Sequence, residues 1–98
     1  VYKRQNHISI HTFCQYHGIE SGLIFTFQEL GLVQIVEEEA GFFLEGEALS
    51  RMEQLVRLYK DLDLSPEGVE VVMGLLGKIE QLQEENTALK RKIRSSLL

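Results

Sequence analysis

The stretch IHTFCQYHGIESGLIFTFQELGL, residues 10–32, sets two short helical patterns on either side of a glycine. Residues 11–17 read as a helix with Phe13, Cys14 and Tyr16 as its candidate inward side chains. Gly18 suits the left-handed position that ends such a helix, and Ile19 packs the turn. A second helix starts near Glu20 or Ser21, both suitable for a cap or an acidic first turn, and runs to about Leu30 before Gly31. Helix, glycine turn and helix within about twenty residues form a helix-turn-helix pattern.

The flanks extend that pattern. Residues 1–6 are polar and read as loose, and His7 to Ile10 alternates as a short strand does. Leu32 to Val36 is a β-branched run, Glu37-Glu38-Glu39-Ala40-Gly41 is a turn, and Phe42-Phe43-Leu44 returns, which predicts a β-hairpin wing. A third helix is expected over 47–62, with Leu49, Met52, Leu55, Val56, Tyr59 and Leu62 at helical spacing. Ser65-Pro66-Glu67 is a helix start: Ser65 caps, Pro66 fits the first position, and Glu67 favours the positive end. The last helix then runs from 66 to about 95, about 45 Å at 1.5 Å per residue. Gly74 and Gly77 weaken it and suggest a bend or a close contact with the third helix. The expected architecture is mainly α: a winged helix-turn-helix domain over 7–64, then a long C-terminal helix over 65–95 as a dimerisation element.

Val72, Leu75, Ile79, Leu82, Asn86, Leu89 and Ile93 alternate spacings of three and four, the a/d pattern of a coiled coil with Asn86 at an a position. The predicted dimer seam is Leu75, Ile79, Leu82, Asn86, Leu89 and Ile93. Its first half could instead pack on the domain's own core, and parallel and antiparallel pairing both remain open.

Charge argues about partners. Between Arg4 and Arg51 there is no lysine or arginine, while the same segment holds seven glutamates. A DNA reader neutralises phosphates with Lys and Arg, and that term supplies most of its affinity. The acidic half should repel nucleic acid and anionic membrane. No apolar run approaches the length of a membrane span, no secretory signal is visible, and the single Cys14 fits a reducing, cytoplasmic setting.

Other chemistry finds little support. His7, His11, Cys14 and His17 fall at helical-like spacings, and His11, Cys14 and His17 could share a face that zinc uses, but His7 precedes the helix, no second cysteine exists and Cys14 suits a small core position. Glu37-Glu38-Glu39 lacks the ligand spacing of a calcium loop. No nucleophile-base-orienter arrangement or phosphate-cradling glycine loop can be argued, so the expectation is no enzyme, no cofactor and no metal. Lys90-Arg91-Lys92-Arg94 is a basic cluster at a helix C-terminus, where cations suit the dipole.

From Ile10 through Phe13, Cys14, Gly18, Ile19, the helix from Ile24 and Gly31-Leu32, the chain resembles MerR-type winged-helix proteins. The resemblance continues through the wing, Leu49 and Met52, and the Leu64-Ser65 start of a long helix, covering about residues 8–94. The departures matter. Phe25 stands where MerR-type regulators carry Arg in the recognition helix, and the wing holds Glu37-Glu38-Glu39 rather than bases. Phe13-Cys14, Leu30-Gly31-Leu32-Val33, Val56-Arg57-Leu58 and Gln83-Glu84-Glu85-Asn86 are similar to the CbpM chaperone-modulator branch. That resemblance implies a cytoplasmic protein that binds the J-domain of a CbpA-type cochaperone and blocks its engagement of a DnaK-type chaperone, so affecting the cochaperone's DNA binding indirectly.

The expected partner surface is Glu37, Glu38, Glu39, Glu45 and Glu47 with Phe42 or Phe43 beside them, suited by charge to a basic helix. The outer face of helices three and four, with Arg51, Arg57 and Lys60, is the alternative location. The alternative function is a MerR-type DNA-binding transcriptional regulator using the wing and the helix from Ile24 to Leu30.

Overall fold

Ser9 closes a strand and opens a helix. The structure, a computed structural model, describes residues 7–97, so the expectation for residues 1–6 lies outside it. Strand β1 spans His7–Ser9 and helix α1 spans Ile10–His17. The Thr12 N–H donates to Ser9 Oγ at 3.1 Å, which satisfies one of the open donors of the first turn. Gly18 ends α1 in the left-handed conformation, φ 66° and ψ 41°. The Ile19 N–H then donates back to the Cys14 carbonyl at 3.1 Å.

Helix α2 covers Ser21–Glu29. Glu20 stands at its N-cap without a side-chain hydrogen bond, so it contributes charge at the positive helix end rather than a cap. Gly31, at φ 77°, turns the chain so that Leu32 and Val33 are buried. Strand pairing does not begin there, as the β-branched run suggested, but at Val36. Strand β2 is Val36–Glu38 and β3 is Gly41–Glu45, joined by Glu39 and Ala40. Apolar residues at 32–33 serve as loop anchors for the core, which composition cannot distinguish from strand.

The sheet is antiparallel with order β1-β3-β2. Ile8 faces Leu44, and Glu37 faces Phe42, so these four share one side of the sheet at alternating positions. The other side carries His7 opposite Glu45, Phe43 between Ser9 and Val36, and Glu38 opposite Gly41.

Helix α3 covers Glu47–Asp61. Gly46 joins it to β3 at φ 57° and ψ −130°, a region that side-chain-bearing residues scarcely enter. A Cβ built there would meet no atom within 4 Å, so the demand comes from the backbone alone. Gly46→Ala is therefore expected to destabilise by about 1–3 kcal/mol without altering any packing contact. Urea denaturation checks this, and a shift of under a few tenths of a kcal/mol would show that the junction relaxes freely.

Helix α4 covers Pro66–Leu97. Ser65 Oγ accepts from the Gly68 N–H at 3.1 Å, the cap expected from sequence. Asp63 takes a left-handed conformation, φ 52°, between α3 and α4, which Asp tolerates better than most residues. Phe13, Ile24, Phe27, Leu44, Met52, Leu55 and Val69 are the largest fully buried side chains. Tyr16 and Leu62, both expected inward, are 83% and 57% exposed. Neither joins the core, although Ile19 and Leu64, just beyond the ends of their helices, pack against it.

Val69 and Met73 of α4 are buried, and Leu76 packs against the same core. The first three turns of α4 thus belong to the domain, but through a face offset from the predicted seam. From residue 77 to 97 every residue is exposed. α4 continues through Gly74 and Gly77, and a Cβ at either would meet nothing within 4 Å, so neither marks a close contact with α3.

Candidate functional site

The helix-turn-helix meets the wing through an aromatic pair. Phe25 on α2 and Phe42 on β3 lie edge to face, centroids 5.3 Å apart at 86°. Phe42 shares a sheet face with buried Leu44, but it lies further toward the hairpin tip, where the core no longer covers it, and it is 43% exposed. Its cross-strand neighbour Glu37 is exposed, as is Glu39 in the turn. Glu47 is exposed in the first turn of α3. Glu37 and Glu39 thus give the wing an acidic rim beside a partly open aromatic contact, while Glu47 lies past the other end of β3.

The other predicted patch residues go to the opposite sheet face. Phe43 stacks on His7 with centroids 4.3 Å apart and rings 16° from parallel. Glu38 and Glu45 are half-buried and turn toward the same imidazole: Glu38 Oε1 is 3.5 Å and Glu45 Oε2 is 3.3 Å from His7 Nε2. The seven residues named from sequence therefore form two surfaces, because side chains alternate across a strand. From sequence, His7 groups only with the helical His and Cys residues, not with this patch. Only strand pairing brings it to Glu38 and Glu45, and sequence carries no local sign of that register.

Two of the three cations of α3 are engaged within the fold. Arg51 Nε donates to the Leu32 carbonyl, and Lys60 Nζ donates to the His17 carbonyl. Both hold backbone oxygens where the chain leaves a helix, which satisfies acceptors that the helix itself cannot. Arg57 remains at the surface, beside Tyr16, Glu53 and Asp61 in an open groove between α1 and α3. All three cations are exposed, so the alternative surface carries Arg51, Arg57 and Lys60, two of which also hold main-chain oxygens.

On α4, Leu75, Ile79, Leu82, Leu89 and Ile93 are all exposed, as is Asn86. Their spacing of three and four sets them on one helical face, an apolar stripe without cover from its own domain.

The His11, Cys14 and His17 trio does not assemble. Cys14 is buried, where loss of solvent pushes its thiol pKa up and leaves it a poor nucleophile or ligand. His11 is exposed, and the His17 ring lies against Phe13 at 4.2 Å. Among the described residues, the group placed to offer three metal-ligating atoms is His7, Glu38 and Glu45. No described helix is long and apolar enough to cross a membrane.

This element order, with its wing and long last helix, agrees with a family-level match. The model of the MerR HTH family of regulatory proteins matches residues 8–91. The chain belongs to the MerR HTH family. Two chaperone modulatory proteins named CbpM, from Pseudomonas entomophila (strain L48) and Pseudomonas putida (strain W619), are 28% and 29% identical to it over 89 residues. Each alignment covers 88% of this chain and 86% of the relative. A CbpM from Pseudomonas putida KT2440 is 25% identical over 87 residues. Among MerR HTH proteins, then, this chain is similar to the chaperone modulators.

Proposed function

We propose that this chain is a cytoplasmic chaperone modulator. It binds the J-domain of a CbpA-type cochaperone and blocks its engagement of a DnaK-type chaperone by covering surface, without catalysis or cofactor. Cochaperone DNA binding changes only indirectly. The observation that carries the reading is the wing itself: exposed Glu37 lies across the hairpin from Phe42, Glu39 is exposed in the adjoining turn, and no Lys or Arg lies between residues 7 and 50. Such a face repels phosphates and attracts a basic helix, while the aromatic edge offers an apolar anchor. The exposed α4 stripe supports the further proposal that two chains pair along it.

The test is binding to a purified CbpA-type J-domain, followed by the Glu37→Lys/Glu39→Lys double variant. Both side chains are exposed, so the fold should tolerate the change. The association rate should fall by about 10- to 100-fold and lose most of its salt dependence. Unchanged association would move the interface off the wing.

The family match favours a second reading, a MerR-type DNA-binding transcriptional regulator. It requires a salt-sensitive shift of duplex DNA by the purified protein. The absence of any shift at low salt would exclude that reading.

A further inference from the structure

The geometry points to a divalent transition-metal site, best suited to zinc, formed by His7 Nε2, Glu38 Oε1 and Glu45 Oε2. It lies on the side of the sheet away from Leu44 and draws one ligand from each of the three strands. The proposal is independent of the J-domain reading.

The spacing fits the ion. Tetrahedral zinc with bonds of about 2.0–2.1 Å sets its ligand atoms about 3.3–3.4 Å apart. His7 Nε2 lies 3.3 Å from Glu45 Oε2 and 3.5 Å from Glu38 Oε1, and all three atoms fall within 4.8 Å of one another. Small side-chain rotations bring the third edge into range. The imidazole is held in place by its stacking on Phe43, so its nitrogen is aimed before any ion arrives. Nε2 is also shut off from solvent, which lessens competition from water at that position.

The donor set narrows the choice of ion. The set offers one imidazole nitrogen and two carboxylate oxygens. Imidazole argues against calcium and magnesium, which take oxygen ligands. It suits zinc and its neighbours in the first transition row. The Glu38 and Glu45 side chains are 29% and 35% exposed, which leaves a fourth position reachable by water. An ion here would join β1 to both strands of the wing. Since β1 and β2 have three residues each, their pairing has few hydrogen bonds of its own, and such a staple would fix the hairpin relative to α1.

Chelator-treated full-length protein titrated with cobalt(II) at about pH 7.5 provides the test. The expected result is the intense visible absorption of four-coordinate cobalt, abolished by stoichiometric zinc. Saturating zinc should also raise the melting temperature by about 5 °C or more. His7→Gln and Glu45→Gln should each weaken binding at least tenfold, while the His11→Ala/His17→Ala double variant should retain it. Should His7→Gln fail to fold, Glu38→Gln carries the same expectation. Two results would overturn the site: no cobalt spectrum and no heat with zinc at about 1 mM, a concentration marking affinity of about 4 kcal/mol, or binding that survives His7→Gln and disappears in the His11/His17 double variant.

Discussion

Phe27→Ala is expected to destabilise the domain by about 3–5 kcal/mol. Phe27 is fully buried in the last turn of α2, and its ring meets Tyr59 of α3 edge-on at 6.3 Å and 88°. Removing it takes away apolar area and leaves a cavity between two helices that the short α2 cannot close by shifting. A domain of this size has a total stability of only about 5–10 kcal/mol, so a large part of the population should unfold at 37 °C. Urea denaturation followed by circular dichroism measures the change. Phe42→Ala is the internal control: the same truncation at a half-open site should cost under about 1.5 kcal/mol. Equal losses at the two positions would show that the core has been placed wrongly.

Leu82→Glu is expected to convert the proposed homodimer to monomers. Leu82 is 63% exposed, and the neighbouring stripe residues Leu75, Ile79, Leu89 and Ile93 also lack cover within the chain. Pairing would bury this leucine in both copies. A glutamate there loses the apolar gain twice and buries two like charges, so dissociation should rise by at least about 100-fold. The substitution touches no core residue and favours helix, so the winged domain should melt as before. Glu84→Gln, on the opposite side of α4, should leave the assembly unchanged. Sedimentation across a dilution series separates the outcomes. A mass that is unaffected by Leu82→Glu would remove the stripe from any role in self-association.

Helix boundaries were readable from sequence where local chemistry sets them. Gly18 terminates α1, Gly31 turns the chain after α2, and Ser65-Pro66 starts α4 because caps and left-handed turns depend on a few adjacent residues. The winged helix-turn-helix followed from their order. Reading failed where burial rather than chain conformation chose the residue. Leu32 and Val33 resemble a strand but are loop residues under the core, and Tyr16 has helical spacing yet stays outside the core. The candidate site was half legible. Glu37 and Phe42 share a face because they pair across the hairpin, whereas Phe43 and Glu38 belong to the reverse side with His7. No window along the chain contains that grouping, since pairing of β1 with β3 joins residues almost forty positions apart.

Lys60 and Arg51 hold neutral carbonyl oxygens rather than carboxylates, and this separates folding from recognition when the ionic medium changes. Dissolved ions attenuate attraction between distant opposite charges far more than they disturb a direct hydrogen bond to main-chain oxygen. During osmotic upshift, the architecture should persist while an encounter guided by the acidic rim weakens. Such a molecule would let go of a cationic partner under salt stress and recapture it afterwards without refolding.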